Sequence, residues 1–192
     1  MGSAVSMLIA RGGDAAELVL VARDATRLAS LVGRIGGSIP VRTARQITEI
    51  ADCDIVVLLT ASADTVVRAE HLAIGAVVLD ATQPRNTSPE LVRLRPDVLL
   101  LDGGVVQVPG LRLQGGSIGL PDGLTYACLA ETLLLSISGH RGHFTLGRPT
   151  LDKVDEITAV ADRHGALGFH PAAPMTFGSP TAIVRTSVAV AA

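Results

Sequence analysis

Four short apolar runs, each ending in small or polar residues, constrain the fold of this 192-residue chain more than any other feature. The runs cover residues 17–22, 54–60, 76–80 and 98–102 and consist mainly of Val, Leu and Ile. Uninterrupted apolar runs of this length are typical of parallel strands that are buried on both faces. Helical patterns separate the runs, so the sequence predicts an α/β fold built on a doubly wound parallel sheet.

The residues that follow these runs predict a ligand cleft. Ligands of doubly wound sheets bind beyond the carboxyl ends of the strands. The four predicted ends are Ala22-Arg23-Asp24, Thr60-Ala61-Ser62, Asp80-Ala81-Thr82 and Asp102-Gly103-Gly104. All are small or polar, as a cofactor cleft requires, although ordinary turns at strand ends have the same composition.

The rest of the chain supplies helices and a less regular end. Periodicity predicts helices over residues 3–11, 24–33, 120–139 and 150–164, a brief strand over 39–42 and a short helix over 44–51. We therefore expect one nucleotide-binding domain with C-terminal helices over residues 1–165. An irregular tail is expected over residues 166–192, which are rich in Ala, Pro and Val.

The start of the chain lacks a part that a Rossmann-like, NAD(P)-binding fold needs. Such a fold opens with a strand and a glycine-rich turn into the first helix, whereas this sequence opens in the helix. Met1-Gly2-Ser3 has the form of the end of that turn, with Gly2 as its last glycine; a cloning remnant or a coincidence are the alternatives. The first strand lies at the centre of the sheet, so its absence leaves two strand edges unpaired. We expect either that the natural polypeptide extends upstream of Met1 or that this chain is a truncated product.

Arginines after the run 17–22, which corresponds to the second strand of a complete Rossmann-like fold, indicate which cofactor would bind. Arg23 lies 21 residues after Gly2, and the residue that reads the ribose is expected about 20 residues on. Arg23, with Arg27 one helical turn later, favours NADP(H), because arginine accommodates a 2′-phosphate. Asp24 keeps NAD open as an alternative, and a solvated helix start is a further one.

The apolar stretch 120–139 contains the candidate nucleophile. Cys128 lies in its early turns, and Glu131, three residues on, shares its helical face. If Asp122 or Thr125 caps the helix, its positive N-terminal end lies close enough to lower the pKa of a thiol. The alternative is that Cys128 is a small apolar residue of the core.

Composition excludes several other classes. The net charge of -2 and an aromatic content of 2% give no support for nucleic-acid binding. No apolar run reaches membrane-spanning length, no signal peptide is recognisable, and the two cysteines are far apart. These features favour a cytoplasmic protein. The glycine between His140 and His143 argues against a shared metal site, and none is expected.

Three blocks in the second half resemble one enzyme family. LLLDGGVVQVPG (99–110), LPDGLTYACLAETLLL (120–135) and FTLGRPTLDKVDEITAVADRHG (144–165) resemble the long-chain acyl-[acyl-carrier-protein] reductases of the cyanobacterial alkane pathway. The likeness continues through ADCDIVVLLTAS, VVLDATQPRN, MGSAV and LVLVARD, so it covers nearly all of residues 1–165. The family is similar in its cofactor domain to shikimate dehydrogenase and glutamyl-tRNA reductase. This sequence departs from the family's pattern in two ways. The family has a further N-terminal region before the cofactor domain that is not found here, and only the last glycine of the nucleotide-binding turn, Gly2, is matched.

The resemblance implies an activity and roles for residues. It implies NADPH-dependent reduction of a fatty acyl thioester, carried by acyl carrier protein or coenzyme A, to an aldehyde, with Cys128 carrying the acyl group. Glu131 is either a proton donor to the leaving thiol or a structural residue, and the Gly103-Gly104 backbone is a candidate oxyanion donor. The expected cofactor contacts are Gly2, Arg23, Arg27, Thr60, Ala61, Ser62, Asp80, Gly103 and Gly104.

Two other functions and the state of assembly stay open. A shikimate-dehydrogenase-like oxidoreductase needs a Lys/Asp pair, but the single lysine, Lys153, lies on the last predicted helix. A non-catalytic nucleotide-binding remnant is the other alternative. An exposed strand edge also leaves homo-oligomer formation open.

Overall fold

A computed structural model describes residues 1–60, 66–114 and 118–183. Within these residues the helices are α1 (Gly2–Gly12), α2 (Ala25–Ile35), α3 (Pro89–Leu94), α4 (Ala127–Ile137) and α5 (Leu151–Arg163). The first strands are β1 (Leu18–Val21), β2 (Val41–Ala44), β3 (Ile55–Leu58), β4 (Val77–Asp80) and β5 (Leu99–Asp102). The later strands are β6 (Val105–Gln107), β7 (Leu124–Tyr126), β8 (His170–Pro171), β9 (Met175–Thr176) and β10 (Ser179–Pro180). Single 3-10 turns occur at Ile47–Ile50, Ala69–His71 and Gly165–Leu167.

The α/β class and the parallel strands predicted from the apolar runs are confirmed. β1 pairs with β2 in parallel, and β4 lies between β3 and β5 with both pairings parallel. Read across the molecule, the order β2-β1 followed by β3-β4-β5 is consistent with a Rossmann-like sheet. β7-β6-β8 form a separate antiparallel sheet, and β9 and β10 form a small hairpin.

Within the described part of the chain, the parallel strands fall into two groups with no strand pairing between them. Among the described residues β1 pairs only with β2, and β3 pairs only with β4. The two groups are nevertheless neighbours, because Val21 of β1 packs against the apolar cluster that contains Val56 and Leu58 of β3. The separation therefore divides the parallel strands into β1-β2 and β3-β4-β5.

Two apolar clusters hold the described elements together. One joins Ala10 of α1 to Leu20, Leu28 and Ile35, so that α1 and α2 pack over β1. The other lies on one face of β3-β4-β5 and includes Val78, which is 0% exposed. The two clusters thus fix the positions of the parallel strands and of α1.

Some boundaries differ from the sequence prediction for identifiable reasons. The strand expected at residues 39–42 lies at Val41–Ala44, and the helix expected at 44–51 is only a 3-10 turn at Ile47–Ile50. The long helix expected over 120–139 begins only at Ala127, because Leu124–Tyr126 pairs antiparallel with Val105–Gln107. Hydrogen bonding of β7 to β6 therefore stabilises an extended conformation where the local pattern predicted a helix.

Part of the segment expected to be irregular is ordered. β8 pairs antiparallel with β6, and Met175 of β9 is buried. The Thr176 hydroxyl donates to the Leu100 carbonyl at 2.6 Å, which attaches the β9-β10 hairpin to β5. Residues 184–192 lie outside the described part. Within that part, no helix is both long and apolar enough to cross a membrane.

Candidate active site

The ends of β4 and β5 are in unusually close contact at Gly103. The Gly103 N–H donates to the Asp80 carbonyl at 2.8 Å. A Cβ atom at position 103 would lie 2.8 Å from the Ala81 Cβ and 3.1 Å from the Ala81 backbone. Glycine is therefore required here by the neighbouring strand end, and the Gly103 N–H is already used.

The start of α4 is attached to the next residue of the same strand end. The Ala127 N–H donates to the Gly104 carbonyl at 2.8 Å. Cys128, the next residue, is exposed in the first turn of α4. Gly104 has a φ of +68°, a conformation that glycine adopts readily. The structure thus brings two predicted site elements, Cys128 and the Gly103-Gly104 turn, to one place.

Neither of the two residues considered as the cap of this helix is its N-cap. Tyr126, rather than Asp122 or Thr125, is the N-cap, and its side chain makes no capping hydrogen bond. Its hydroxyl instead accepts from the Gln83 amide at 2.8 Å and donates to the Ile118 carbonyl at 3.3 Å. The first turn of α4 therefore has no side-chain acceptor from its N-cap residue at its positive end.

No hydrogen bond or ion pair within the described residues holds the side chain of Glu131 in place. It is half-buried in the second turn of α4, three residues after the cysteine. Its carboxylate forms no ion pair or hydrogen bond with other residues of the described ranges. The Thr132 hydroxyl donates to the Cys128 carbonyl at 2.9 Å, which supports the first turn of the helix.

The second cysteine has a different environment. Cys53 is half-buried, and this burial raises the pKa of its thiol. The negative charge of the adjacent Asp52 raises the pKa further. Cys53 therefore ionises less readily than an ordinary thiol and packs against the cluster around β3.

Asp80, predicted as a cofactor contact, is committed to its own loop. Its carboxylate is buried and accepts from the backbone N–H groups of Thr82, Asn86 and Thr87. It also accepts from the hydroxyls of Thr82 and Thr87. A ligand bonded to this carboxylate would have to replace these donors, so the structure favours a loop-organising role for the side chain.

Asp102 has a comparable role that sequence reasoning missed. Arg85 donates to both carboxylate oxygens of Asp102, at 3.0 and 3.2 Å, and the Asp102 side chain is only 6% exposed. The backbone N–H groups of Phe177 and Gly178 donate to the same carboxylate at 3.2 and 2.6 Å. The Arg85 guanidinium also lies 5.4 Å from the centre of the Phe177 ring. An arginine directly after the loop proline, between two acid-terminated strands, is the sequence signal for this pairing.

At the end of β1, some side chains near the predicted cofactor site are hydrogen-bonded within the protein and others are exposed. Asp24 caps α2 by accepting from the Arg27 N–H at 3.0 Å, and its other oxygen lies 3.1 Å from the Arg27 Nε. Arg23 is exposed and forms no ion pair within the described residues. Gly2 begins α1, and a Cβ atom there would have no neighbour within 4 Å. Arg23, rather than Asp24, is thus the side chain available at this strand end.

The remaining predicted contacts follow β3. The Thr60 hydroxyl contacts the amide oxygen of Asn86, which is 0% exposed. The Asn86 carbonyl in turn accepts from Val66 and Val67. Ala61 and Ser62 lie outside the described residues, so their roles stay predictions.

A cavity of about 240 Å³ adjoins the Gly103-Gly104 turn. Its lining includes the apolar side chains of Leu79, Leu101 and Val105 as well as residues 171–174. The cavity contacts Gly104, whose carbonyl holds α4. It therefore places apolar surface close to the start of the cysteine-bearing helix.

Comparison with known proteins gives distant relatives. No family model matches the chain. It is 26% identical over 174 residues to a long-chain acyl-[acyl-carrier-protein] reductase of Synechococcus elongatus, covering 86% of this chain and 49% of that protein. The likeness is to a reductase, and it is distant. The chain is also 35% identical over 118 residues to aminotransferase PigE of Serratia, covering 60% of this chain and 14% of that protein. The chain thus spans half or less of the length of these curated relatives.

Proposed function

We propose that this chain is the cofactor-binding and nucleophile-bearing part of an NADPH-dependent reductase that converts a fatty acyl thioester to an aldehyde. The observation that carries the proposal is the hydrogen bond between Ala127 and Gly104, which fixes Cys128 at the carboxyl end of β5. That end of the sheet is where α/β proteins bind cofactors and substrates. The distant similarity to an acyl-[acyl-carrier-protein] reductase supports the same assignment.

The residues at the first strand fit a nicotinamide cofactor with a 2′-phosphate. Gly2 at the start of α1 leaves room for a pyrophosphate beside the first N–H groups of the helix. Arg23 is exposed and would hold the 2′-phosphate, while the Asp24 carboxylate is occupied by the cap of α2. When bound, the cofactor supplies the hydride that reduces the acyl carbon.

Cys128 would perform the covalent step. Its thiolate attacks the carbonyl carbon of the thioester, a new C–S bond forms, and the carrier leaves as a thiol after taking up a proton. Reduction of the resulting acyl-enzyme releases the aldehyde and restores the Cys128 thiolate. Overall, one thioester, one NADPH and one proton give one aldehyde, one free thiol and one NADP⁺.

Negative charge on the carbonyl oxygen requires a hydrogen-bond donor. The Gly103 N–H donates to Asp80, so it is not available in this structure. The Gly104 N–H has no partner within the described residues, and its carbonyl is bonded to the residue beside Cys128. We assign the oxyanion contact to Gly104. Glu131, on the same helical face as Cys128, is the candidate proton donor to the leaving thiol.

Two other functions, a shikimate-dehydrogenase-like oxidoreductase and an aminotransferase, have less support than the acyl-thioester reductase. The single lysine, Lys153, lies 2.6 Å from Glu156 through its ammonium and stands over the Phe144 ring. It is thus not placed in the cleft, as a shikimate-dehydrogenase-like pair or a lysine Schiff base would require. Only 14% of PigE is matched, so aminotransferase chemistry is not carried over. An aldehyde belongs to the class of carbonyl compounds that aminotransferases accept, which is compatible with a reductase segment occurring in such a protein.

Intact-protein mass spectrometry tests the covalent step. The chain is incubated with a long-chain acyl-coenzyme A, and the acyl adduct is measured for the unaltered protein, Cys128→Ser and Cys53→Ser. We expect the adduct on the unaltered protein and on Cys53→Ser, and its loss in Cys128→Ser. Acylation that persists in Cys128→Ser would refute the mechanism.

Cofactor fluorescence tests the binding assignment. NADPH and NADH are titrated into the protein, with Arg34→Ala as a matched control because Arg34 lies in the last turn of α2, away from the strand end. Arg23→Ala should weaken NADPH binding by about tenfold, corresponding to about 1.4 kcal/mol, and leave NADH unaffected. Equal effects on both cofactors would contradict the 2′-phosphate assignment.

A non-catalytic remnant is the second candidate. The observation that favours it is the separation of β1 from β3, which leaves the sheet beneath the cofactor site divided. Absence of both the acyl adduct and NADPH binding, in a protein that unfolds cooperatively, would support this alternative.

A further inference from the structure

We infer that the cavity beside Gly104 binds the part of the acyl chain next to the thioester carbon, and that residues 171–174 limit the size of the chain that enters it. The inference rests on the proposed function, because it locates the substrate of that reaction. It gives a role to a segment for which the sequence predicted only an irregular tail.

Gly104 connects the cavity to the reacting groups. It lines the cavity, its N–H is the assigned oxyanion contact, and its carbonyl accepts from Ala127 beside Cys128. A Cβ atom at position 104 would meet nothing within 4 Å, so the space next to this residue is open. An acyl group whose carbonyl oxygen is bound by the Gly104 N–H would therefore have its first methylene groups at the cavity.

The parallel sheet contributes apolar surface to the cavity. Leu79 and Leu101 lie directly opposite each other in the register of β4 and β5. Because side chains alternate along a strand, both lie on the sheet face opposite to that of Val78 and Leu100, which belong to the apolar cluster. Leu79 and Leu101 are only half-buried, so apolar surface remains that an acyl chain would remove from water.

The one charged residue in the lining is already neutralised. Among the described residues that line the cavity, only Asp102 has a polar side chain. Its carboxylate is almost fully buried and accepts from Arg85 and from the N–H groups of Phe177 and Gly178. A methylene chain needs no polar partner, whereas a nicotinamide ring would leave its carboxamide without a side-chain partner here. The lining therefore favours the acyl chain over the cofactor.

Backbone hydrogen bonds at both ends hold residues 171–174 in place. The Ala172 N–H donates to the Val105 carbonyl at 3.0 Å, and the Pro174 carbonyl accepts from the Thr181 N–H at 2.9 Å. Prolines at both ends of the segment restrict its backbone further. The two residues between the prolines are alanines, whose short side chains leave room for a ligand. A larger side chain would occupy that room.

The volume of the cavity limits how much of a ligand it holds. Its volume of about 240 Å³ is below the roughly 300 Å³ from which pockets for whole small-molecule ligands begin. A long acyl chain would fill the cavity with its first methylene groups and extend beyond it. An acetyl group, which has no methylene group, would make almost none of these contacts. Acetyl and decanoyl thioesters thus differ in their dependence on the cavity.

Methyl NMR with decan-1-ol, which cannot acylate the protein, tests the site directly. The unaltered protein is labelled at its Ile, Leu and Val methyl groups and titrated with the alcohol. We expect saturable shifts at Leu79, Leu101 and Val105 that persist when NADP⁺ is added. Ile74 and Leu146, which are 93% and 75% exposed, should not shift and control for non-specific binding.

The possible results of this titration separate the cavity from the chemistry. Absence of saturable shifts at the three lining residues, or equal shifts at the two control residues, would overturn the inference whether or not Cys128 is acylated. Displacement of the alcohol by NADP⁺ would assign the cavity to the cofactor and also overturn it. Shifts at the lining residues, with no acylation of Cys128 by any thioester, would support an alkyl site and contradict the proposed function.

Acylation rates test the limit set by residues 171–174. Intact-protein mass spectrometry measures transfer from acetyl- and decanoyl-coenzyme A to Cys128. Ala172→Phe should slow decanoyl transfer at least about tenfold and change acetyl transfer by less than about twofold. Ala166→Phe is the matched control, since Ala166 is exposed in a 3-10 turn and does not line the cavity; it should change neither rate.

Unchanged decanoyl transfer in Ala172→Phe, or equal slowing of both transfers, would overturn the role assigned to this segment. Ala172→Val, a smaller replacement, is measured in parallel and should slow decanoyl transfer less than Ala172→Phe does. The titration with decan-1-ol needs no variant, so it decides the inference even if a replacement prevents folding.

Discussion

The carbonyl oxygen of Gly104 accepts a hydrogen bond from the N–H of Ala127 at 2.8 Å, and this bond joins the end of a parallel strand to the start of the cysteine-bearing helix. β7, which precedes that helix, is also paired with β6 directly after Gly104. The position of Cys128 is thus set by backbone bonds on both sides of the turn. Its reactivity can be examined separately from catalysis.

Alkylation should distinguish the two cysteines. Cys128 is exposed at an uncapped helix N-terminus, whereas burial raises the pKa of Cys53. Because the thiolate is the reacting form, iodoacetamide at neutral pH should modify Cys128 at least about tenfold faster than Cys53. Peptide mapping after timed quenching measures both rates, and unfolding in urea should make them similar. Faster modification of Cys53 in the folded protein would contradict the assigned environments.

A methyl group at position 103 should destabilise the fold. Gly103→Ala places a Cβ atom 2.8 Å from the Ala81 Cβ, so the strand ends must separate. We expect the free energy of unfolding in urea to fall by about 2 kcal/mol. Gly33→Ala is the matched control, since Gly33 lies within α2 with open space around it; it should stabilise the protein by about 1 kcal/mol. Equal effects would mean that the contact with Ala81 has no energetic role.

Removal of the Asp80 charge should cost more than removal of a surface charge. Asp80→Asn replaces one carboxylate oxygen with an NH2 group, which then faces either the Thr82 N–H or the N–H groups of Asn86 and Thr87. The free energy of unfolding should fall by about 3 kcal/mol. Asp162→Asn, on the exposed face of α5, should change it by less than about 0.5 kcal/mol. If Asp80→Asn lowers the free energy of unfolding no more than the control does, the loop does not depend on the Asp80 charge for its stability.

Acid should weaken the protein partly through Asp97. Hydrogen bonds from the Arg95 guanidinium, and then from the Gly75 N–H, hold the pKa of the Asp97 carboxyl well below its usual range. A carboxyl with a depressed pKa in the folded state stabilises the protein above its unfolded pKa of about 4. That contribution is lost as the pH falls through the folded value.

Asp97→Asn should therefore lower the urea midpoint at pH 7, and its difference from the unaltered protein should narrow as the pH falls from about 4 to about 2. Asp14→Asn, at an exposed position without an ion pair among the described residues, serves as the control. A difference that does not change with pH would assign the effect of Asp97 to packing rather than to its charge.

The parallel strands could be predicted because each is a continuous apolar run with a polar end. The pattern 98–102 requires only burial on both faces, and β5 forms there. The end of α1 was equally readable, since Gly13 takes the left-handed conformation that closes a helix. In these cases the local sequence and the tertiary structure favour the same conformation.

The site could be predicted only in part, because its organisation depends on contacts between distant residues. The start of α4 at Ala127 follows from pairing of β7 with β6 and not from local helix signals. Asp102 was recognised as a strand end, but its partners Phe177 and Gly178 lie 75 and 76 residues further along the chain. No periodicity in the sequence reports such a contact.

The backbone donors to the Asp102 carboxylate are synthesised well after the strand that carries it. A ribosome completes β5 long before it incorporates Phe177 and Gly178, and the Leu100 carbonyl likewise awaits Thr176. Until then Arg85 and water are the partners of this carboxylate. The outer edge of β5 therefore gains these donors only after Thr176, Phe177 and Gly178 have been made, and a nascent chain halted before Thr176 would leave that edge open to water and to other chains.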